Sequence, residues 1–301
     1  MNARTDTEVA ALTGSGSEPA SIGAAEVVPL GVIVLTFNSA SVIEATLRAA
    51  LQLSPQVYVV DSGSSDGTIA IARDLGCEVV HRAFKHYADQ RNWAIDQAGH
   101  RSTWQLHLDA DEVLDALAIA EVRRVLAAPG DAHGFIFKRR TYFLGRPLRF
   151  GGASNFHLRL FRSGSARCED RLYDQHFVSP HAGVRLGGLL HDMNVGNLTE
   201  WIVRHNRWSD LEAAELLRPE AAAIAQIQAR LSADPRERRR LYKGQYYRVP
   251  PFLRAGLLFV YRYVVQGGFL DGRAGFLYAF FQVLWFRMLV DAKLLEREQG
   301  D

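Results

Sequence analysis

The sequence predicts an α/β protein built on a doubly wound, mostly parallel sheet, with a helical extension at the C-terminal end. Three observations carry that expectation. Leu30 to Leu35, Leu-Gly-Val-Ile-Val-Leu, is a nearly continuous aliphatic run, the pattern of a central strand covered on both faces. Short runs of this kind then alternate with segments of helical spacing through short connections, which calls for a parallel sheet. From Phe252 to Leu295 the pattern changes to aromatic and aliphatic runs interrupted by isolated charges.

Thr36-Phe37-Asn38 ends the first strand, and Val42, Ile43, Leu47, Ala50 and Leu51 mark a helix over Val42 to Leu53. Val57 to Val60 is the second strand. It ends in Asp61-Ser62-Gly63-Ser64-Ser65-Asp66-Gly67-Thr68, followed by a helix through Ile69, Ala72 and Leu75 and a third strand over Cys77 to Val80. Between Trp104 and Asp109, Leu106 and Leu108 alternate with Gln105 and His107, so at least one face of this strand is buried, and it stops at Asp109-Ala110-Asp111.

A helix is expected from Glu112 to about Ala127, then a turn at Pro129-Gly130 and a strand from Gly134 to Lys138. Lys138-Arg139-Arg140 with Tyr142 and Phe143 reads as a basic, aromatic, hairpin-like segment, facing an anionic acceptor or simply solvated. Phe156 to Phe161 alternates cleanly as a strand. Leu198 to Leu217 has the spacing of an amphipathic helix, which Pro219 interrupts.

A chain of 301 residues, 48% apolar and 23% charged, is large enough for one α/β domain and an appendage. Its formal net charge of +2 is too mild to indicate nucleic-acid binding. Cys77 and Cys168 stand far apart, which suggests neither a disulfide framework nor a zinc site and fits a reducing cytoplasm. No signal-peptide pattern opens the sequence, and no run reaches the roughly 18 uninterrupted apolar residues of a spanning helix. Residues 1–28, small and polar, are expected to be a disordered tail. The main domain is expected over 29–218, and a basic, amphipathic helical region over 219–301.

Two stretches point to chemistry. Asp109 and Asp111, one residue apart at a strand end, can both reach one crevice, and hard cations such as Mg²⁺ or Mn²⁺ take carboxylates together with substrate phosphates. In open α/β sheets that crevice lies beyond the carboxyl ends of the strands. The plainer account is that Asp-Ala-Asp-Glu caps the next helix. In Asp61 to Thr68, small residues let backbone and hydroxyl donors approach a ligand, and Asp61 can accept from a base or ribose. A polar turn with Asp66 as N-cap is the plainer account there. Neither Gly-x-Gly-x-x-Gly nor Gly-Lys-Ser/Thr is present.

Thr36-Phe37-Asn38, Val59 to Thr68, Tyr87-Ala88-Asp89-Gln90-Arg91-Asn92 and Asp109-Ala110-Asp111, in this order and spacing, resemble family 2 glycosyltransferases. The bacterial enzymes of lipopolysaccharide core and exopolysaccharide synthesis are nearest in flavour, and the likeness covers roughly residues 30 to 210. The resemblance implies the GT-A fold and a nucleotide-diphosphate sugar donor, uridine-linked by preference. It places Thr36, Asn38 and Glu44 around the nucleotide and Asp61 on the base. The rest of that loop, Ser62, Gly63, Ser64 and Asp66, would line the pocket with Arg91. Asp109 would meet the ribose or the metal, and Asp111 would hold Mg²⁺ or Mn²⁺ against the diphosphate. Arg91 suits a charge-assisted contact to phosphate; a surface salt bridge is its alternative.

An inverting transfer also needs a carboxylate to take the proton of the acceptor hydroxyl. Asp170 after Glu169 fits the Glu-Asp pair of the family, and Asp174 in Asp-Gln-His is the rival; surface pairing with Arg167 and Arg171 is the alternative for both. His191 is a candidate extra metal ligand, as some GT-A enzymes recruit, or a hydrogen-bonded structural residue. The implied acceptor is a glycan or lipid-linked glycan. Arg236, Arg238, Arg239, Arg240 and Lys243 suit an anionic membrane surface. The interruptions at Arg254, Arg262, Asp271, Arg273 and Arg287 favour interfacial over spanning helices, on the inner face of the cytoplasmic membrane; packing on the protein itself is the alternative. Two other functions fit the fold: a nucleotidyltransferase, which would carry a Gly-rich basic loop after the first strand, and a non-catalytic nucleotide-sugar binding or scaffold protein.

Overall fold

The computed structural model describes residues 30–193, 196–218, 231 and 235–300. The expected tail over 1–28 and the break at Pro219 lie outside the described residues, as do the side chains of Arg236, Arg239 and Arg240. The chain runs β1 (Leu30–Thr36), α1 (Ile43–Leu51), β2 (Val57–Asp61), α2 (Thr68–Asp74), β3 (Glu78–His81), α3 (Tyr87–Gly99), β4 (Trp104–Asp109), β5 (Glu112–Leu114), α4 (Ala116–Ala127), β6 (Gly134–Phe143) and β7 (Arg146–Pro147). It continues through β8 (Asn155–Arg162), β9 (Arg167–Cys168), β10 (Phe177–Val178), β11 (Val184–Asp192), α5 (Leu198–Leu217), α6 (Pro235–Tyr246), α7 (Leu253–Val260), α8 (Gly272–Tyr278) and α9 (Phe286–Gly300).

Two compact units divide these elements. The first comprises the described residues of Met1–Gly145, His157–Cys168 and Phe177–Val195; the second, those of Arg146–Phe156, Glu169–His176 and Gly196–Asp301.

In the first unit, strands lie in the order β3-β2-β1-β4-β8-β6-β11-β5. β1 is parallel to both β2 and β4, and β2 to β3, while β8 and β5 run antiparallel to β4 and β11. The register sets Thr36 beside Asp61 and Leu35 beside Asp109, so the carboxyl ends of β1, β2 and β4 finish together. Strand alternation divides the core between two faces. Val32, Val34, Val59, Leu106 and Leu108 pack with Ile43 and Leu47 of α1 and Val122 of α4, while Ile33, Leu35 and Val60 pack with Ala94 and Ala98 of α3. Cover on both faces is what permits the uninterrupted aliphatic run of β1.

The structure departs from the expected elements twice in this unit. Glu112–Leu114 is a strand, not the start of a helix: it pairs with β11 through Val113 and His191, and its side chains are fully buried. The helix begins one turn later, where the Asp115 carboxylate accepts the Ala118 N–H at 2.7 Å. The basic segment after Gly134 is no hairpin. β6 runs straight through it, paired with β11 from Lys138 opposite Leu189 to Thr141 opposite Asp192, with Tyr142 and Phe143 buried.

In the second unit, α5 spans the expected residues, and α9 packs along it. π-helical turns at Tyr261–Val265 and Ala279–Trp285 and a 3₁₀ turn at Gly268–Asp271 join the later helices. As a result Gly268–Gln299 is one helical run of 32 residues, long and apolar enough by length and composition to cross a membrane, although no such span was expected; 33% of its most apolar stretch is buried.

Where β11 crosses α4, a Cβ on Gly188 would lie 2.2 Å from the Ala118 nitrogen and 2.3 Å from its Cα, both backbone atoms. The Glu121 carboxylate fixes the crossing by accepting the N–H groups of Gly187 and Gly188 at 2.8 and 2.7 Å. Gly188→Ala should therefore cost about 1–3 kcal/mol or more through overpacking. Gly244→Ala in α6, where the new Cβ would meet nothing within 4 Å, should gain about 0.5–1 kcal/mol. Urea midpoints of the two variants are expected to move in opposite directions.

Candidate active site

The loops at the carboxyl ends of β1 and β2 are laced to each other. Asp61 is fully buried and closes its own loop: the N–H groups of Gly63 and Ser64 donate to one carboxylate oxygen at 2.7 and 2.9 Å, and the Ser64 hydroxyl donates to the other at 2.5 Å. Gly63 takes φ +99°, a conformation in which a side chain is strained. Ser64 Oγ also accepts the Asn38 N–H (2.8 Å), and Asn38 Oδ1 accepts the Ser65 N–H (2.8 Å). Asp66 accepts the N–H groups of Ala40 (3.1 Å) and Thr68 (3.0 Å) and the Thr68 hydroxyl, whose oxygen in turn accepts the Ser39 N–H (2.7 Å). Partial burial would raise the pKa of Asp66, but the bonds from Thr68 and Ala40 outweigh it and hold the carboxyl below its ordinary value. Ser62 donates its N–H to Thr36 O (3.1 Å) and its hydroxyl accepts from Gln90 Nε2 (2.8 Å).

One polar atom in this corner is left over. Among the described residues the buried Thr36 Oγ1 has no hydrogen-bond partner, which in a native interior calls for an explanation such as a ligand. The structure does not bring Glu44 into the cluster: its side chain lies on the exposed surface of α1, 2.7 Å from Arg48 one turn on, because its position in the helix points away from the sheet.

Beside the loops, the end of β4 carries a cluster of six charged groups. Asp109 pairs through one oxygen with Arg91 of α3 and through the other with Arg159 of β8, the latter at 2.8 Å. Arg159 also pairs with Glu112, whose second oxygen accepts the Asp109 N–H at 3.0 Å. Arg139 of β6 stands 3.7 Å from Glu112 and 3.4 Å from Asp192. Arg91 donates to Leu108 O as well, and the Phe177 ring packs against the guanidiniums of Arg91 and Arg159 at 5.5 and 5.9 Å. Burial would push the Asp109 carboxyl up, but Arg91, Arg159 and Arg139 more than offset it and hold it low. Glu112 goes the other way, raised by burial and, despite Arg159, by the neighbouring Asp109 charge. Both Asp109 oxygens thus hold guanidiniums at the end of β4, and Arg91 is neither exposed nor a surface ion pair.

Asp111 follows, half-buried, with its carbonyl accepting the Met193 N–H at 2.9 Å in continuation of the β5–β11 ladder. His191 lies two positions back along β11, 4% exposed. Burial lowers its pKa, the nearby Asp115 opposing, which favours the neutral imidazole. Among the described residues its Nδ1 has no hydrogen-bond partner. An imidazole kept towards its neutral form by burial, with an unpartnered nitrogen, is a donor that could join Asp111 in holding a divalent cation completed by ligand phosphates. Among the described residues, no group of three or more His, Cys, Asp or Glu side chains comes together to hold a metal by itself.

The second unit holds the loop with both candidate bases. Glu169, fully buried, accepts the His176 N–H at 3.1 Å, and its own N–H donates to His176 O at 3.0 Å, closing the loop. Glu215 anchors it further through Arg171 (3.2 Å) and the Leu172 N–H (3.0 Å). The Asp174 carboxylate is committed to Lys243 at 3.0 Å. Lys243 also meets Glu212 (2.9 Å), which accepts from Arg287 (2.8 Å) and the Tyr247 hydroxyl (2.9 Å). Asp170 is exposed, and among the described residues its carboxylate makes no hydrogen bond or ion pair. Arg167 and Arg171 do not pair with either aspartate; they take Asp96 and Glu215.

Sequence reasoning missed Arg159, Glu112, Arg139 and Gln90. Arg159 had a legible signal, since a guanidinium within Leu158-Arg159-Leu160-Phe161 must find a carboxylate when its strand is buried. The others needed the fold.

Polar loops gathered at the carboxyl ends of parallel strands, flanked by a carboxylate-guanidinium cluster, place backbone N–H groups and guanidiniums together at the end of the sheet where open α/β folds bind ligands. Residues 31–175, just under half of the chain, match the family model described as glycosyl transferase family 2, and the mixed, mostly parallel sheet flanked by helices is the doubly wound architecture expected from the sequence. Among curated relatives the chain is 27% identical over 263 residues, 84% of this chain and 89% of the other, to the lipopolysaccharide core biosynthesis glycosyltransferase LpsC of Rhizobium meliloti. It is 31% identical over 150 residues to an uncharacterized glycosyltransferase of Rickettsia bellii, covering 50% of this chain and 47% of the other. Among solved structures it is similar to the mannosyltransferase PcManGT of Pyrobaculum calidifontis in complex with GDP-Man and Mn²⁺, with TM-score 0.47, 14% identity and coverage of 97% and 94%. TarS of S. aureus in complex with UDP-GlcNAc gives TM-score 0.42, 15% identity and coverage of 91% and 92%.

Arg159→Met should destabilise the protein by about 3–5 kcal/mol, because it leaves Glu112 buried without its main cation; adding Glu112→Gln should restore a large part of the loss in a double-mutant cycle. Glu212 gives a pH signature. Burial would raise its pKa, but Arg287 and Lys243 overcome that and lower it from 4.5 to about 2. A depressed carboxyl contributes stability that is present above its unfolded value and lost as pH falls through the folded one, here about 3 kcal/mol over that window. Glu212→Gln should flatten the acid limb of a stability-versus-pH curve read by urea unfolding.

Proposed function

We propose that the chain is an inverting, divalent-metal-dependent hexosyltransferase of cell-envelope polysaccharide synthesis. It moves a sugar from a nucleotide-diphosphate donor, uridine diphosphate foremost, to a hydroxyl of a glycan or lipid-linked glycan. The observation that carries this reading is the joint ending of β1, β2 and β4, which sets the laced loops beside Arg91, Asp109 and Asp111. The R. meliloti relative, named for lipopolysaccharide core biosynthesis and aligned over most of both chains, supports the acceptor class.

In this reading Thr36 and the loop of Asp61 to Asp66 receive the nucleoside, with Asp61 and Asp66 acting mainly by holding backbone donors in place. Arg91, fixed by Asp109, faces the diphosphate with a planar, permanently charged donor. Asp111, with His191 beside it, would hold Mg²⁺ or Mn²⁺, which when bound offsets the charge growing on the leaving diphosphate. Asp170 is the base: its exposed carboxylate takes the acceptor's hydroxyl proton as that oxygen bonds to the anomeric carbon from the side opposite the diphosphate, which leaves with the electrons of the broken C–O bond. Asp174, tied to Lys243, serves the loop. The membrane surface is the proposed setting, with the enzyme peripheral on its cytoplasmic side.

The test is a thermal-shift screen against UDP, GDP, CDP and dTDP, each with Mn²⁺ and with EDTA, followed by turnover with the matching donors. One nucleotide should raise the melting temperature in a metal-dependent way, by mass action on the folded state. Asp111→Asn should abolish the metal dependence, and Asp170→Asn should lower kcat about 10²–10⁴-fold with Asp174→Asn well short of that. Wild-type turnover by Asp111→Asn would overturn the metal assignment. Nucleotide binding without turnover would favour a binding protein, and consumption of a nucleoside triphosphate with a sugar phosphate a nucleotidyltransferase.

A further inference from the structure

The end of the second unit is built inside out. Over Leu253–Val265, formed by α7 and the π-helical turn after it, the exposed residues are Leu253, Leu257, Val260, Tyr261, Val264 and Val265, a single stripe at helical spacing and entirely apolar. The buried side carries Arg254, which pairs with Asp291, and Ala255. After the turn at Gln266-Gly267 the pattern repeats, with Phe269, Leu270, Phe276 and Phe280 exposed and Gly268, Ala274, Gly275 and Ala279 buried. A Cβ on Gly275 would sit 2.2 Å from the Gly268 carbonyl oxygen. Small residues inside and large apolar ones outside is the packing of helices in lipid, where close backbone approach holds elements together and the solvent is hydrocarbon.

The turn is braced rather than loose. Asp271 accepts the N–H groups of Arg149 (3.0 Å) and Phe150 (2.9 Å), Gln266 O accepts the Gly151 N–H (3.0 Å), and Arg262 donates to Gly152 O (3.1 Å). These contacts set exposed Phe150 beside the turn, and Arg146, Arg149 and Arg273 are exposed as well. Asp271, the lone acid between Phe252 and Trp285, is engaged with those backbone amides, so the charge offered outward is positive. The other end of the helical run has protein partners: Arg287 meets Glu212, and Lys293 meets Asp210. Leu253–Val265 is about 20 Å long, short of the roughly 30 Å hydrocarbon core.

We propose that the hairpin end at Gln266-Gly267 enters one leaflet of an anionic bilayer without crossing it. Val264, Val265, Phe269, Leu270 and Phe150 reach the acyl region, and Arg146, Arg149 and Arg273 meet lipid phosphates. This deepens the membrane-surface part of the proposed function by naming the contact, and it assigns to the hairpin what the basic run before α7 would otherwise do alone.

The test uses the full chain and vesicles of phosphatidylcholine with and without about 30% phosphatidylglycerol. Wild type should co-sediment with the anionic vesicles, and Val265→Glu with Phe269→Glu should lower partitioning at least tenfold, with an unchanged circular-dichroism melt and metal-dependent nucleotide shift. Both positions are exposed, so the fold tolerates the change. An environment-sensitive fluorophore at Leu270→Cys should shift to the blue on the anionic vesicles alone; the native Cys77 and Cys168 are buried. Vesicle binding that survives the hairpin variant would overturn insertion while leaving a membrane-surface enzyme. Absence of wild-type binding to any vesicle would overturn the membrane reading itself. A dimer that the hairpin variant dissociates, with no vesicle binding, would assign the stripe to a second copy instead and overturn the proposal.

Discussion

Three guanidiniums and three carboxylates meeting at the end of β4 are the constraint on which the first unit depends. They come from six elements, α3, β4, β5, β6, β8 and β11, and each is paired at least once. Desolvating so many charges is costly unless every one finds its partner. The cluster therefore penalises any other register: sliding β8 by one residue would turn Arg159 to the opposite face of the sheet and strand Glu112 without its cation. Core packing alone would tolerate several alignments of these aliphatic strands. The charges select one, and in doing so they fix Arg91 and Asp109 at the crevice.

How much of this was legible in the sequence depends on the range of the interactions. β1, β2 and β4 could be read because a buried strand writes its pattern locally, and the Asp61 to Thr68 loop because its turn chemistry is local too. β5 could not. Glu112-Val113-Leu114 continues into a helical pattern, and what makes it a strand is a ladder to Leu190 and His191, far along the chain. The same holds for β6, where Arg139 looks like a solvated charge until Glu112 and Asp192 are brought to it. Glu44 is the opposite case: a motif position was carried over to a helix whose geometry turns that side chain to solvent beside Arg48.

In the second unit, α5 was legible from its amphipathic spacing, and the continuity of the last helices was not, since Asp271 and Arg273 interrupt the apolar pattern while the backbone is carried through by irregular turns. The rival bases were open because ion pairing is a choice among many partners. Arg171 could have met Asp170 or Asp174, and it met Glu215. Once Lys243 takes Asp174, the two aspartates have different chemistry despite standing four residues apart in the same loop.

The lacing of the β1 and β2 loops has a consequence for turnover. Asn38, Asp61 and Asp66 have already used their side chains to order the backbone around them, so in the proposed reading a ligand would meet a surface whose conformational entropy was surrendered during folding. If the proposed nucleotide site is correct, little would remain to be ordered on arrival and little to be undone on departure. Release of a charged product would then depend on the electrostatic hold of the guanidinium-lined wall, which ionic strength can tune.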